Sequence, residues 1–131
     1  MSLKKISINK IPSYGAYSTC VLVHNFLFIS GQIGINMNEN FKKKNSNSIE
    51  IETKKIMNNL KIILLENRMN FQNIVKTTIF LIDIQQIQKV NQIYSNFFKN
   101  KEYPSREIIE ASALPKNANI EISMIAYKSK L

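Results

Sequence analysis

Arginine is scarce in this chain: two arginines stand against sixteen lysines, and one of them, Arg106, follows Pro104-Ser105 where a strand-like segment begins. A guanidinium is a planar fork that can hold a carboxylate by two parallel hydrogen bonds, so Arg106 suits the grip of a small organic acid. It suits an ordinary surface ion pair equally well. Glu121 poses a similar choice. It interrupts the apolar Ile120-Glu121-Ile122, where it either faces solvent on a sheet edge or supplies a carboxylate for proton transfer. Other chemistries lack their parts. One histidine, one cysteine and nine acidic residues offer no clustered set of strong metal ligands. His24 reads as a turn residue, and Cys20 as a buried, inert strand residue. Gly31-Gln32-Ile33-Gly34 is not a nucleophile elbow, and three glycines in the whole chain make no phosphate-cradling loop.

The elements that must position these residues follow from periodicity. Lys4 to Ile8, Ser18 to His24 and Phe26 to Ile33 read as strands, the last two joined by a tight hairpin at His24-Asn25. Residues Asn36 to Ser48 are polar, and their run Lys42-Lys43-Lys44 reads as a solvated loop. Ile56, Leu60, Ile63 and Leu64 recur at helical spacing, with Asn47 or Ser48 as the cap and Glu50 and Glu52 near the positive end of the dipole. Ile74 to Ile82 reads as a central strand. Asp83 and Gln86 suit the start of a second helix, whose apolar face is Ile87, Val90, Tyr94, Phe97 and Phe98. Those aromatics read as core. Arg106 to Ser112 and Ile120 to Tyr127 close the chain as strands, with a turn at Leu114 to Asn117. Alternation places Arg106, Ile108 and Glu110 on one face. The order predicts an α+β fold, two helices lying on one face of a mixed sheet.

A length of 131 residues with 44% hydrophobic content suits one domain spanning residues 1–131. One cysteine rules out an internal disulfide, which fits a reducing, cytoplasmic setting. Met1 to Ser7 lacks the apolar core and cleavage site of a secretory signal, and no apolar run is long enough to span a membrane. The net charge of +9 draws anions, but no compact basic motif accompanies it and the surface reads as solvated lysine.

Several segments then resemble one family. Gly15-Ala16-Tyr17-Ser18, Phe28-Ile29-Ser30-Gly31-Gln32, Val75 to Leu81 (Val-Lys-Thr-Thr-Ile-Phe-Leu), Val90 to Phe98 (Val-Asn-Gln-Ile-Tyr-Ser-Asn-Phe-Phe), Pro104-Ser105-Arg106 and Leu114-Pro115 with Ile120-Glu121-Ile122 are similar, in order and at family spacing, to motifs of the RidA/YjgF reactive-intermediate deaminases. The resemblance implies a chorismate-mutase-like homotrimer with sites between subunits. It also implies hydrolysis of 2-aminoacrylate, 2-aminocrotonate and their imine tautomers to 2-keto acids and ammonia, with no metal or organic cofactor. Carried over by position, Arg106 clamps the substrate carboxylate and Glu121 positions or deprotonates water. Tyr17, Ser30, Gly31 and Asn91 line the pocket, and Ile108 contributes main-chain groups alone.

Departures from the pattern touch the same places. Ile108 stands where the family often has cysteine, Ala16 replaces proline, Ser105 replaces alanine and Ser123 replaces a second glutamate. Glu107 directly follows Arg106 and would compete with substrate if it folded back; alternation points it away. Two other roles compete with the deaminase. An RNA-binding or RNA-cleaving module has only the charge in its favour and lacks an RNA-recognition motif, so nucleic acid is not the expected partner. A non-catalytic trimer that binds small carboxylates is the other.

Overall fold

The computed structural model describes residues 3–35 and 48–130. Six strands form one sheet: β1 (Leu3–Ile6), β2 (Cys20–Val23), β3 (Phe26–Ile33), β4 (Ile74–Leu81), β5 (Ser105–Glu110) and β6 (Ile120–Tyr127). Their spatial order is β1-β2-β3-β6-β4-β5. All neighbours run antiparallel except β4 and β5, which are parallel. Two helices, α1 (Ser48–Glu66) and α2 (Ile87–Tyr94), serve as the crossovers β3–α1–β4 and β4–α2–β5; the second joins parallel neighbours, which need such a connection. The α+β order expected from sequence is therefore the one observed. The lysine run and the cap residue Asn47 lie outside the described residues.

The core lies between the sheet and the helices. Leu27, Ile29, Ile79, Leu81, Ile120, Ile122, Met124 and Ala126 face inward from β3, β4 and β6. From α1 they meet Ile49, Ile56, Met57, Leu60, Ile63 and Leu64, and from α2 Val90 and Tyr94. The alternation in β6 is complete: Ile120, Ile122, Met124 and Ala126 are buried, while Glu121, Ser123, Ile125 and Tyr127 face the other way. That second face carries Phe26, Phe28, Ile109 and Tyr127 exposed, a run of apolar surface unusual on an isolated chain.

Several local details differ from the sequence reading. Asp83 caps a 3-10 turn, Ile84–Gln86, by accepting from the Gln85 amide; α2 starts one residue later without a side-chain cap. The helix also ends at Tyr94, and Phe97 and Phe98 reach the core from a 3-10 turn and an extended residue. The β2–β3 hairpin turns at His24-Asn25 as expected, but His24 is exposed and adopts a left-handed φ of 53°. Cys20 is buried, accepting a long hydrogen bond from Asn67.

Glu52, expected only to favour the helix dipole, is buried and accepts from the Asn119 backbone amide (2.9 Å) and side-chain amide (2.5 Å). It ties the first turns of α1 to the residue just before β6. Gly34 makes this approach possible, because a Cβ there would lie 2.7 Å from the Glu52 Cα.

Candidate active site

Arg106 is the second residue of β5, the sheet's last strand. In register it stands opposite Thr77 of β4, and Thr77 is buried toward the helices. Arg106, Ile108 and Glu110 therefore share the helix-covered face, as alternation predicted. The Arg106 side chain, exposed in a single chain, is held at two points by α2. Its Nη1 donates to Asn91 Oδ1 at 2.8 Å, and the guanidinium lies over the Tyr94 ring, 5.1 Å from the centroid. Its other donors have no acceptor among the described residues. They face an open cleft of about 400 Å³ lined by Asn91, Tyr94, Ser95, Tyr103, Pro104 and Arg106. Glu107, the suspected competitor, points to the opposite face and pairs with Lys76 at 3.0 Å. The Ile108 side chain packs on the core, so only its backbone is offered to the edge.

Glu121 belongs to a second cleft, on the other face of the sheet. It stands opposite Ile33 of β3 and Phe80 of β4. This cleft, of about 330 Å³, is lined by Tyr14, Tyr17, Ser30, Gly31, Ile33, Pro115 and Glu121. A break in register between Ile29 and Gln32 shapes it. Both of those residues are buried, and the bulge between them aims Ser30 and Gly31 at the rim, a common use of bulges beside functional sites. Gly31 leaves room for the carboxylate: a Cβ there would lie 2.7 Å from Glu121 Cδ and closer still to Oε2. The Ser30 hydroxyl donates to the Ser18 carbonyl at 2.7 Å, so it binds the Tyr17 loop to β3. Tyr17 is braced further by its amide donating to the Gly15 carbonyl, and its hydroxyl accepts from the Tyr14 amide. Partial burial pushes the Glu121 carboxyl above the ordinary carboxylate range. A carboxylate so shifted is a stronger base than an ordinary one.

The seven residues singled out in the sequence thus fall into two groups. Arg106, Asn91 and Ile108 lie at the helix-side edge; Tyr17, Ser30, Gly31 and Glu121 lie on the opposite face. Counted through the register, Arg106 and Glu121 are two strands and three residues apart, about 14 Å between backbones. One chain alone does not bring them to one substrate. Sequence reasoning passed over Tyr94, Tyr103 and Tyr14. Tyr94 sits three residues after Asn91, the spacing of helix neighbours, and was legible only as core. Tyr14, three residues before Tyr17, donates its hydroxyl to the Ile35 carbonyl and lies under Lys116.

The profile of the RidA/YjgF family, described as Endoribonuclease L-PSP, matches residues 7–128. This chain belongs to that family. A RutC family protein from Buchnera aphidicola subsp. Baizongia pistaciae is 42% identical over 131 residues, covering 98% of this chain and 99% of that protein. A human protein named 2-iminobutanoate/2-iminopropanoate deaminase is 39% identical over 127 residues, covering 96% of this chain and 90% of the human one. Among solved structures, a member of the conserved Rid protein family from Yersinia pestis superposes with a TM-score of 0.85 at 36% identity, covering 97% of this chain and all of that one. The family's fold is accordingly the sheet and helices described above. No helix among the described residues is long and apolar enough to cross a membrane.

Proposed function

We propose that the protein is a hydrolytic deaminase that converts 2-enamine and 2-imine acids, such as 2-aminoacrylate, 2-aminocrotonate and their imino tautomers, to 2-keto acids and ammonia. One observation carries this reading: an arginine fixed by Asn91 and Tyr94 turns its remaining donors toward an open cleft. The name of the human relative supports it. The Arg106 guanidinium would take the substrate carboxylate, a charge-assisted contact worth about 1.5–3 kcal/mol.

The chemistry then needs no more than water. Glu121 takes a proton as water adds to C2 of the iminium, and the C=N electron pair moves to nitrogen. Glu121 returns that proton to the amine nitrogen, and as the C–N bond breaks and ammonia leaves, the hydroxyl proton passes to the Glu121 carboxylate and C2=O forms. Tyr17, Ser30 and Gly31 would wall the cleft around Glu121, and the Ile108 main chain would face the carboxylate end. Because the two groups occupy opposite faces, we place each site between two chains of a homotrimer. The exposed Phe26, Phe28, Ile109 and Tyr127 support burial of that face against another copy.

The experiment is keto-acid release from a threonine dehydratase reaction, run where spontaneous imine hydrolysis is slow. The parent should speed release, and Arg106→Ala should lose nearly all of that acceleration. A variant as active as the parent would make the anchor assignment wrong. Ligand binding without any acceleration would mark a non-catalytic carboxylate binder instead.

The family description Endoribonuclease L-PSP and the charge of +9 favour a second reading, RNA cleavage. A labelled-RNA gel assay on the parent and Glu121→Gln separates the two. Cleavage lost with the carboxylate supports that reading; equal cleavage by both proteins marks a contaminant.

A further inference from the structure

We propose that Tyr94 is the positioning residue of the Arg106 anchor, its ring face seating the guanidinium and its hydroxyl fixing the ring to the neighbouring strand. The inference rests on the reading of Arg106 as a carboxylate anchor. Tyr94 is 3% exposed and Thr77 fully buried, and the Tyr94 hydroxyl donates to Thr77 Oγ1 at 2.9 Å. Thr77 is also the register partner of Arg106 across β4 and β5. The three residues form a closed triangle: strand neighbour to strand neighbour through the backbone ladder, and back through a helix side chain. The ring cannot shift relative to β4 without shifting relative to Arg106.

Its other contacts hold it from behind. Phe98 packs on Tyr94 with centroids 4.8 Å apart, and on Phe71 and Tyr103 at 5.5 and 5.9 Å. A core role alone would be met by phenylalanine. The hydroxyl bond to Thr77 and the ring face beneath the Arg106 guanidinium are the parts that packing does not explain. Asn91, one turn earlier on α2, supplies the second point of the seat. An arginine on an exposed edge strand otherwise samples many rotamers. Each long side chain that must be ordered on binding weakens affinity by about two- to tenfold. Removing that disorder beforehand acts on substrate and transition state alike, so it shows in KM rather than kcat.

The test measures 2-oxobutanoate affinity by calorimetry beside KM and kcat for imine turnover. Tyr94→Phe keeps the ring face but loses its hold on Thr77, so 2-oxobutanoate affinity should fall, by less than in Tyr94→Leu. Tyr94→Leu should weaken 2-oxobutanoate and raise KM by about two- to tenfold, with kcat within about twofold. Should Tyr94→Leu fail to fold, phenylalanines bearing one to five ring fluorines at position 94 keep the volume while draining the ring face of negative charge. Affinity should then fall stepwise with fluorine number. Affinity indifferent to fluorine, or a folded Tyr94→Leu binding like the parent, would overturn the proposal. The Arg106→Ala variant separates it from the reading beneath it. If 2-oxobutanoate still binds that variant, the anchor itself is wrong. If binding is lost there but untouched by changes at Tyr94, the anchor stands and the positioning role falls.

Discussion

Glu121 illustrates how one side chain's surroundings set its chemistry. Its carboxyl sits over Gly31 in a half-buried cleft, and desolvation raises its pKa above the ordinary range. A base must be ionised to act, so kcat/KM should rise with pH through this raised value. Glu121→Gln should lower kcat by about 10²–10⁴-fold and flatten that limb of the pH profile. Stability should respond in the opposite sense. Between the unfolded and the raised folded pKa the folded chain binds more protons than the unfolded one, so ionising Glu121 costs stability as pH rises. The Glu121→Gln protein should therefore gain thermal stability relative to the parent above that window and lose the advantage below it. Melting curves across pH check the sign.

At the scale of elements, the contact to watch is between α1 and the start of β6. Glu52 is 5% exposed and accepts both amides of Asn119. Glu52→Ala would remove this acceptor from the half-buried Asn119 backbone N–H, at about 1–3 kcal/mol at most. Gly34→Ala should destabilise as well, because the added Cβ meets α1 backbone rather than a movable side chain. Denaturant midpoints should fall for both variants with little change in slope. Since β6 carries Glu121 and passes beside β3, loosening this joint should also lower kcat. A Glu52→Ala protein with unchanged midpoint would mean that water replaces the carboxylate without cost.

At the scale of the molecule, the two faces of the sheet divide the proposed machinery. Arg106 and Asn91 stand on the helix side, and Glu121, Tyr17 and Ser30 on the other. If sites form between copies, Arg106→Ala and Glu121→Gln proteins should complement each other. Unfolding and refolding an equal mixture should restore about a quarter of the sites, each built from one intact residue of either chain. Light scattering on the parent should give three times the chain mass. A mixture as dead as its components would instead confine each site to one chain.

The periodicity of the sequence determined the element order, the helix-side stripe of Ile56, Leu60, Ile63 and Leu64, and the shared face of Arg106, Ile108 and Glu110. These depend on neighbours a few residues apart, where side-chain direction follows directly from backbone geometry. The motifs around Tyr17, Ser30, Asn91, Arg106 and Glu121 also identified the family. Tertiary structure alone decided that Arg106 and Glu121 face opposite sides, since this needs the strand order β6-β4-β5 and its register. It alone decided that Tyr94 meets Arg106, that the bulge after Ile29 aims Gly31 at Glu121, and that Glu52 binds Asn119. Each is a contact between distant segments whose partner is selected by packing, and no local spacing encodes it.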